Sequence, residues 1–88
     1  MEWNFRNDQP IYSQLTQRLT EAIVSGIYAP GEKLPSVRDL AVEAGVNPNT
    51  VQRALTELER EGLVFSQRTA GRFVTENENM ITNAKLRI

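Results

Sequence analysis

Cysteine and histidine are both missing from the 88 residues of the chain. Their absence excludes disulfide bonds, thiol chemistry and the commonest zinc sites, which take Cys and His ligands. It also removes the side chain that most often serves as a general acid or base, and the carboxylates show no pairing typical of a catalytic cleft. An enzyme is therefore the weakest functional hypothesis, and we predict no catalytic residue, no metal and no cofactor.

Long hydrophobic runs are missing as well. No apolar stretch is long enough to span a bilayer, and no basic segment leads into an apolar one as in a secretory signal peptide. We therefore expect a cytoplasmic protein without a membrane partner. A chain of 88 residues allows one small domain with a modest core.

Neither sign of charge dominates, since the formal net charge is −1. Taken globally, this balance argues weakly against a nucleic-acid partner. The distribution of the charges is more informative than their sum. Several arginines cluster in one part of the sequence, among them Arg38, Arg53, Arg68 and Arg72.

One segment predicts two helices joined by a short turn. Ser36 is a favoured N-cap type and precedes apolar residues at helical spacing, and Gly45 can end that helix in a left-handed conformation. Asn47 and Pro48 then have the types expected for an N-cap and a first helical residue. The second helix is therefore predicted over 48–61.

This second helix is amphipathic. Its apolar side consists of Val51, Ala54, Leu55 and Leu58. Its opposite side begins with side chains that can hydrogen-bond base edges and phosphates, namely Asn49, Gln52, Arg53 and Thr56. Glutamates follow only in the last turns, where they would repel phosphate, so we expect the first half of the helix to enter a DNA groove. The alternative is a solvated face, the usual meaning of a polar stripe.

After the second helix the apolar period changes to two, which predicts strands over 63–67 and 72–75. The tip between them begins with Arg68 and ends with Gly71, and Arg72 follows directly. Arginines that flank a small, glycine-containing tip are typical of a wing that touches phosphates or the minor groove. An ordinary charged hairpin is the alternative.

A further helix is predicted between Pro10 and Gly26, followed by a turn at residues 30–31. The complete order is helix, turn, helix, turn, helix, hairpin. It predicts a mainly α fold with a small β-hairpin, a winged helix-turn-helix of three helices plus wing. We place this domain at 1–75 and a C-terminal tail at 76–88.

Four segments of the chain together match a known family. They are PIYSQL at 10–15, GIYAPGEKLPSVRDLA at 26–41, VNPNTVQRALTELEREGLV at 46–64 and GRFV at 71–74. These segments resemble the N-terminal domain of GntR-family bacterial transcription regulators, and the run VNPNTV resembles the short YtrA-like subgroup. The resemblance covers about residues 8 to 75.

The resemblance implies roles for particular residues. The arginine of the family's S-x-R-x-L-A motif, here Arg38, contacts DNA, as do residues at the start of the recognition helix. The family's wing commonly reads G-x-G-x-F-V, whereas this chain has Thr69 in place of the first glycine. Together with the patterns above, the predicted DNA-binding residues are Ser36, Arg38, Asn47, Asn49, Thr50, Gln52, Arg53, Thr56, Arg68, Thr69, Gly71 and Arg72.

The resemblance also implies a function. The chain would be a sequence-specific transcription regulator, most simply a repressor that binds a palindromic operator as a homodimer. Helix 48–61 would lie in the major groove of double-stranded DNA, and the wing, 68–72, on the adjacent backbone or minor groove. The alternative hypothesis is a winged-helix module that binds a protein, which should present apolar anchors on the same helix face.

Family members carry a C-terminal part that pairs subunits and often binds an effector. Here the tail, 76–88, is the segment that corresponds to this part. Its thirteen residues are too few for an effector pocket, and the sequence does not identify an effector. Several apolar residues of the tail have no evident partner in the domain and are candidates for pairing two subunits. They are Met80, Ile81, Ala84, Leu86 and Ile88.

Overall fold

A computed structural model describes residues 3–87, which form four helices and one antiparallel hairpin. The elements are α1 (Ile11–Val24), α2 (Val37–Ala44), α3 (Pro48–Arg60), β1 (Val64–Gln67), β2 (Gly71–Val74) and α4 (Glu78–Arg87). The predicted three helices plus wing are confirmed, and α4 is an additional helix in the tail. Among these helices, none has the length and apolar character needed to cross a bilayer.

Helix α2 begins and ends at the predicted signals, and α3 begins at its predicted N-cap and ends one residue before the predicted bound. The Ser36 hydroxyl accepts a hydrogen bond from the Asp39 N–H at 3.1 Å, and the Asn47 side-chain oxygen accepts one from the Asn49 N–H at 2.8 Å. Caps of this kind contribute about 1 kcal/mol each. Gly45 has a φ of +69°, the left-handed conformation that ends α2 and turns the chain toward α3.

The core lies where α1 and α2 pack against the apolar side of α3. Its largest fully buried side chains are Leu15, Leu19, Ile23, Leu40, Val51, Leu55, Leu58, Leu63 and Val74. Both strands of the wing contribute to this core through Val64 and Val74, which face each other across the hairpin. The recognition-helix candidate is therefore held on its inner side, and its outer side faces solvent.

The wing is tied to the linker that precedes α2. Backbone hydrogen bonds join Val74 to Gly31 and Glu32, and the Leu34 N–H donates to the Arg72 carbonyl at 2.8 Å. The linker thus runs along β2 like a third strand. The observed turn of the hairpin spans 68–70, one residue shorter than predicted, because Gly71 already pairs with β1.

Helix α4 packs along α1. The expectation that the tail's apolar residues have no partner in the domain was wrong for three of them. Ala84 is 1% exposed, Ile81 packs against the core, and the half-buried Met80 lies against Gly62. Leu86, by contrast, is 79% exposed, and Ile88 lies outside the described residues. The division of the chain at residue 75 stays a prediction, but the helix beyond it completes the same core.

Candidate nucleic-acid interface

Asn49 and Gln52 project from the outer face of α3. Both are exposed, and neither side chain makes a hydrogen bond within residues 3–87. A carboxamide that is free of protein partners can both donate and accept, which suits the adenine N6 and N7 positions in a major groove. These two residues are the part of the predicted site with the most unused hydrogen-bonding capacity.

Other predicted residues already use a polar group within the protein. The side-chain oxygens of Ser36 and Asn47 cap α2 and α3, and the Thr56 hydroxyl donates to the Gln52 carbonyl at 2.9 Å. Thr50 is half-buried in the first turn of α3. The caps by Ser36 and Asn47 hold the starts of α2 and α3, and the DNA contacts of all four residues stay predictions.

Arg53 is engaged by an aromatic ring. The carbon at the centre of its guanidinium lies 3.6 Å from the centroid of the Tyr12 ring on α1. A cation over a ring at an exposed site contributes about 0.5–1 kcal/mol. The stack joins the outer face of α3 to α1 and sets the direction of Arg53, whose DNA contact stays a prediction.

The wing presents Arg68 and Thr69 at its turn, where both are exposed. Gly71 has a φ of +105°, as its predicted permissive role requires, and a Cβ there would lie 3.1 Å from Cε of Lys33. Lys33 therefore lies against the wing. A cleft separates the wing from the start of α2, and its lining includes Lys33 and Ser36 on one side and Thr69 on the other.

Arg72 points to α3 instead of to solvent. Its Nε donates to Oε1 of Glu59 at 2.6 Å, and the Ser66 hydroxyl donates to the same oxygen at 2.6 Å. These contacts lower the pKa of the Glu59 carboxyl: the hydrogen bond from Ser66 is the largest cause, partial burial opposes it, and Arg72 lowers it further. The contact therefore stabilises the fold above the ordinary carboxyl pKa and is lost as the pH falls through the lowered value.

Comparison with known proteins identifies the family. The family described as "Bacterial regulatory proteins, gntR family" matches residues 11–74, which include α1, the helix-turn-helix and the wing. The chain belongs to the GntR family. The members of this family are described as bacterial regulatory proteins.

Individual relatives of this GntR-family chain agree with that assignment. The "HTH-type transcriptional repressor YtrA" of Bacillus subtilis (strain 168) is 49% identical over 72 residues, which are 82% of this chain and 55% of the relative. The chain thus spans about half the length of that protein. A "GntR family transcriptional regulator from Listeria monocytogenes" superposes with a TM-score of 0.91 at 38% identity, covering 94% of this chain and 73% of that structure.

A structure determined with DNA is also similar to the GntR-family chain. The "AraR(DBD) in complex with operator ORE1" has a TM-score of 0.73 at 26% identity, and the match covers 85% of this chain and 94% of that one. The winged helix-turn-helix fold predicted from the sequence is therefore the fold of this family.

The ten lysines and arginines of the GntR-family chain divide into two groups. Arg6, Arg18, Arg60 and Arg72 form ion pairs, and Arg53 stacks on Tyr12. Within residues 3–87 the remaining five form no ion pair, and they are Lys33, Arg38, Arg68, Lys85 and Arg87. Three of these five belong to the linker, the start of α2 and the wing turn. A near-neutral chain can thus still offer unpaired positive charge on one side.

Sequence patterns missed Lys33, Glu59 and Tyr12. Lys33 forms a β-bridge with Phe73, which lies 40 residues further along the chain, and Glu59 contacts Arg72 across 13 residues. No local spacing marks either contact. Glu59 was noted in the sequence only as one of the glutamates in the last turns of α3, which would repel phosphate.

Proposed function

We propose that this GntR-family domain binds double-stranded DNA in a sequence-specific manner and represses transcription from the site that it occupies. The observation that carries the proposal is a pair of exposed amides on the first half of α3, Asn49 and Gln52, whose side chains make no hydrogen bond to the described part of the chain, 3–87. Two relatives support it, since YtrA is named a repressor and the AraR domain is in complex with an operator. A repressor acts on the chromosome, so a cytoplasmic location is part of the proposal.

The binding mode follows from the geometry of the domain. Helix α3 enters the major groove with its first two turns, because the exposed amides lie there and glutamates occupy its last turns. Arg68 at the wing turn reaches the neighbouring backbone or minor groove. Lys33, which lines the cleft between the wing and the start of α2, and the exposed Arg38 in the first turn of α2 hold phosphates.

A protein partner for the same face is the second candidate function. Protein interfaces are centred on buried aromatic and aliphatic anchors. The exposed residues along the outer side of α3 are instead polar or charged, and they include Asn49, Gln52, Arg53 and Thr56. This composition favours DNA over a protein groove.

Selection of bound duplexes from a random-sequence pool tests the proposed function. We expect enrichment of one motif with two-fold symmetry, bound about a thousandfold or more tighter than random DNA at physiological salt. A pool that stays unenriched, or that is enriched equally by a chain with both amides replaced by alanine, would contradict sequence-specific binding.

Arg38→Ala should weaken binding to every duplex. If Arg38 holds one phosphate, its loss lowers the slope of log K against log salt by about one unit. Lys33→Ala should do the same. Titrations at several salt concentrations measure the slope. Lys85→Ala is the control, since it removes a cation that forms no ion pair within residues 3–87 and lies on α4, which carries none of the predicted DNA-binding residues. An unchanged slope for Arg38→Ala would remove this residue from the phosphate contacts.

A homodimer on DNA is the proposed assembly, because one recognition helix reads only a few base pairs and a palindrome presents two half-sites about one turn apart. Leu86 is the large apolar side chain of α4 that remains exposed. Leu86→Asn should therefore reduce cooperativity on a two-half-site duplex and leave binding to one half-site unchanged. Ile27→Asn, an exposed apolar position in the linker, is the control. Sedimentation on both duplexes checks this, and full cooperativity in Leu86→Asn would place the subunit contact elsewhere.

A further inference from the structure

We propose that Glu59 is a positioning residue for DNA binding, which holds the wing at a fixed angle to the recognition helix, and that Arg72 acts through it instead of contacting phosphate. The inference rests on the proposed function, and it reassigns one of the predicted DNA-binding residues. It concerns a contact that no sequence pattern indicated.

One carboxylate oxygen of Glu59 holds both strands of the wing. Ser66 on β1 and Arg72 on β2 are directly opposite each other in the hairpin register. Each donates a hydrogen bond of 2.6 Å to the same Oε1 atom. Hydrogen bonds to an ionised carboxylate are shorter and stronger than neutral ones. The arginine and glutamate side chains are only 22% and 30% exposed, so solvent screens this pair less than a surface pair.

The contact joins the wing to the fixed helix α3. Val64 and Val74 anchor the base of the hairpin and the linker bonds β2, and Glu59 adds a tie to Ser66 on β1, close to the wing turn. A two-stranded hairpin has little stability of its own. Helix α3 is fixed, because Leu55 and Leu58 on its other side are buried in the core. The wing turn begins two residues beyond Ser66. If the Glu59 contact is lost and the angle between the wing and α3 changes, Arg68 therefore moves away from the DNA backbone.

Arg72 is poorly placed for a phosphate contact. Its Nε is occupied by Glu59, and the negative charge of that carboxylate compensates its positive charge. Arg68, in contrast, is exposed and forms no ion pair within the described residues. The wing therefore reaches DNA through Arg68, and Arg72 serves as a strut between the wing and α3.

When Glu59 is removed, electrostatics and positioning predict opposite changes in the affinity for DNA. Removing an acid near DNA reduces repulsion of phosphate, so charge alone predicts tighter binding. Loss of the strut predicts weaker binding. We expect Glu59→Ala to weaken binding by about tenfold, the effect of losing one charge-assisted contact. The control Glu61→Ala removes an exposed acid from the end of the same helix and should leave affinity equal or slightly higher.

The experiment uses the full chain and a duplex that the wild-type chain selects from a random pool. Besides affinity, hydroxyl-radical footprinting should show that Glu59→Ala loses protection where the wing lies and keeps it where α3 lies. Glu59→Gln retains an acceptor oxygen, so it should recover part of the affinity and part of the protection where the wing lies. Equal or tighter binding by Glu59→Ala, with an unchanged footprint, would overturn the proposal.

A double-mutant cycle separates a strut from a phosphate contact. If Arg72 acts through Glu59, the combined variant Glu59→Ala/Arg72→Ala binds as weakly as either single variant. Arg72→Ala should then leave the salt slope unchanged, whereas Arg68→Ala lowers it by about one unit. Additive losses together with a lower slope for Arg72→Ala would make Arg72 a phosphate contact and reject the strut.

Two further measurements keep folding and DNA binding apart. If Glu59→Ala proves unstable, Ser66→Ala removes only the second hydrogen bond and should still weaken the wing footprint. Amide hydrogen exchange without DNA should show faster exchange across 66–72 in Glu59→Ala than in the wild type. A wild-type chain that selects no duplex would contradict the proposed function, while unchanged exchange in this segment would contradict the strut.

Discussion

Replacing Asn49 and Gln52 together by alanine should abolish most of the sequence preference of the domain. Each good bidentate contact between an amide side chain and a base contributes about 1–3 kcal/mol of discrimination, so the pair should lose about 2–6 kcal/mol on the selected duplex. Binding to random DNA should change little, because that binding depends on phosphate contacts. The two side chains make no hydrogen bond within residues 3–87, so the fold should be unaffected.

The measurement compares dissociation constants on the selected and a random duplex at one salt concentration. Gln17→Ala/Asn83→Ala is the matched control, since it removes the same two amide types from exposed positions on α1 and α4. The single variants Gln52→Ala and Asn49→Ala should each relax preference at one or two base positions. A loss of equal size on both duplexes would show that the amides do not read bases.

Ala84→Asp should lower the free energy of unfolding by about 2–4 kcal/mol. Ala84 is 1% exposed where α4 packs on α1, and an unpaired carboxylate cannot be accommodated there. Helix α4 can detach instead, so the loss is limited to what its docking contributes, mainly the burial of Ala84 and the half-buried Ile81 and Met80. For a domain of this size such a loss is a large part of the total, which is about 4–13 kcal/mol.

The neighbouring change Asn83→Asp is the control for this prediction. It introduces the same carboxylate one residue earlier, at an exposed position, and should change stability by no more than about 0.5 kcal/mol. A chain that ends after Thr75 should unfold at the same temperature as Ala84→Asp, because both lose the docking of α4. If Ala84→Asp matches the wild type in thermal unfolding, α4 contributes nothing to the core and the division at residue 75 is a true domain boundary.

The order of elements and the starts of the two central helices are encoded locally in the amino-acid sequence. Ser36, Gly45, Asn47 and Pro48 act within a few residues of their own position, through caps and backbone conformation, so their effect can be recognised locally. Helical periodicity likewise separated the buried side of α3 from the exposed side that carries Asn49 and Gln52. The strand pairing of the wing followed from its period of two.

Packing between distant elements sets which polar groups remain available for DNA. Arg53 and Arg72 looked equivalent to Arg38 and Arg68 in the sequence, yet the first two are held by Tyr12 and Glu59. The tail likewise looked unpartnered until α4 was seen to pack on α1. Each of these contacts joins elements that are separated along the chain. Their formation depends on how the helices and the hairpin pack in space, and neither residue type nor local spacing encodes that arrangement.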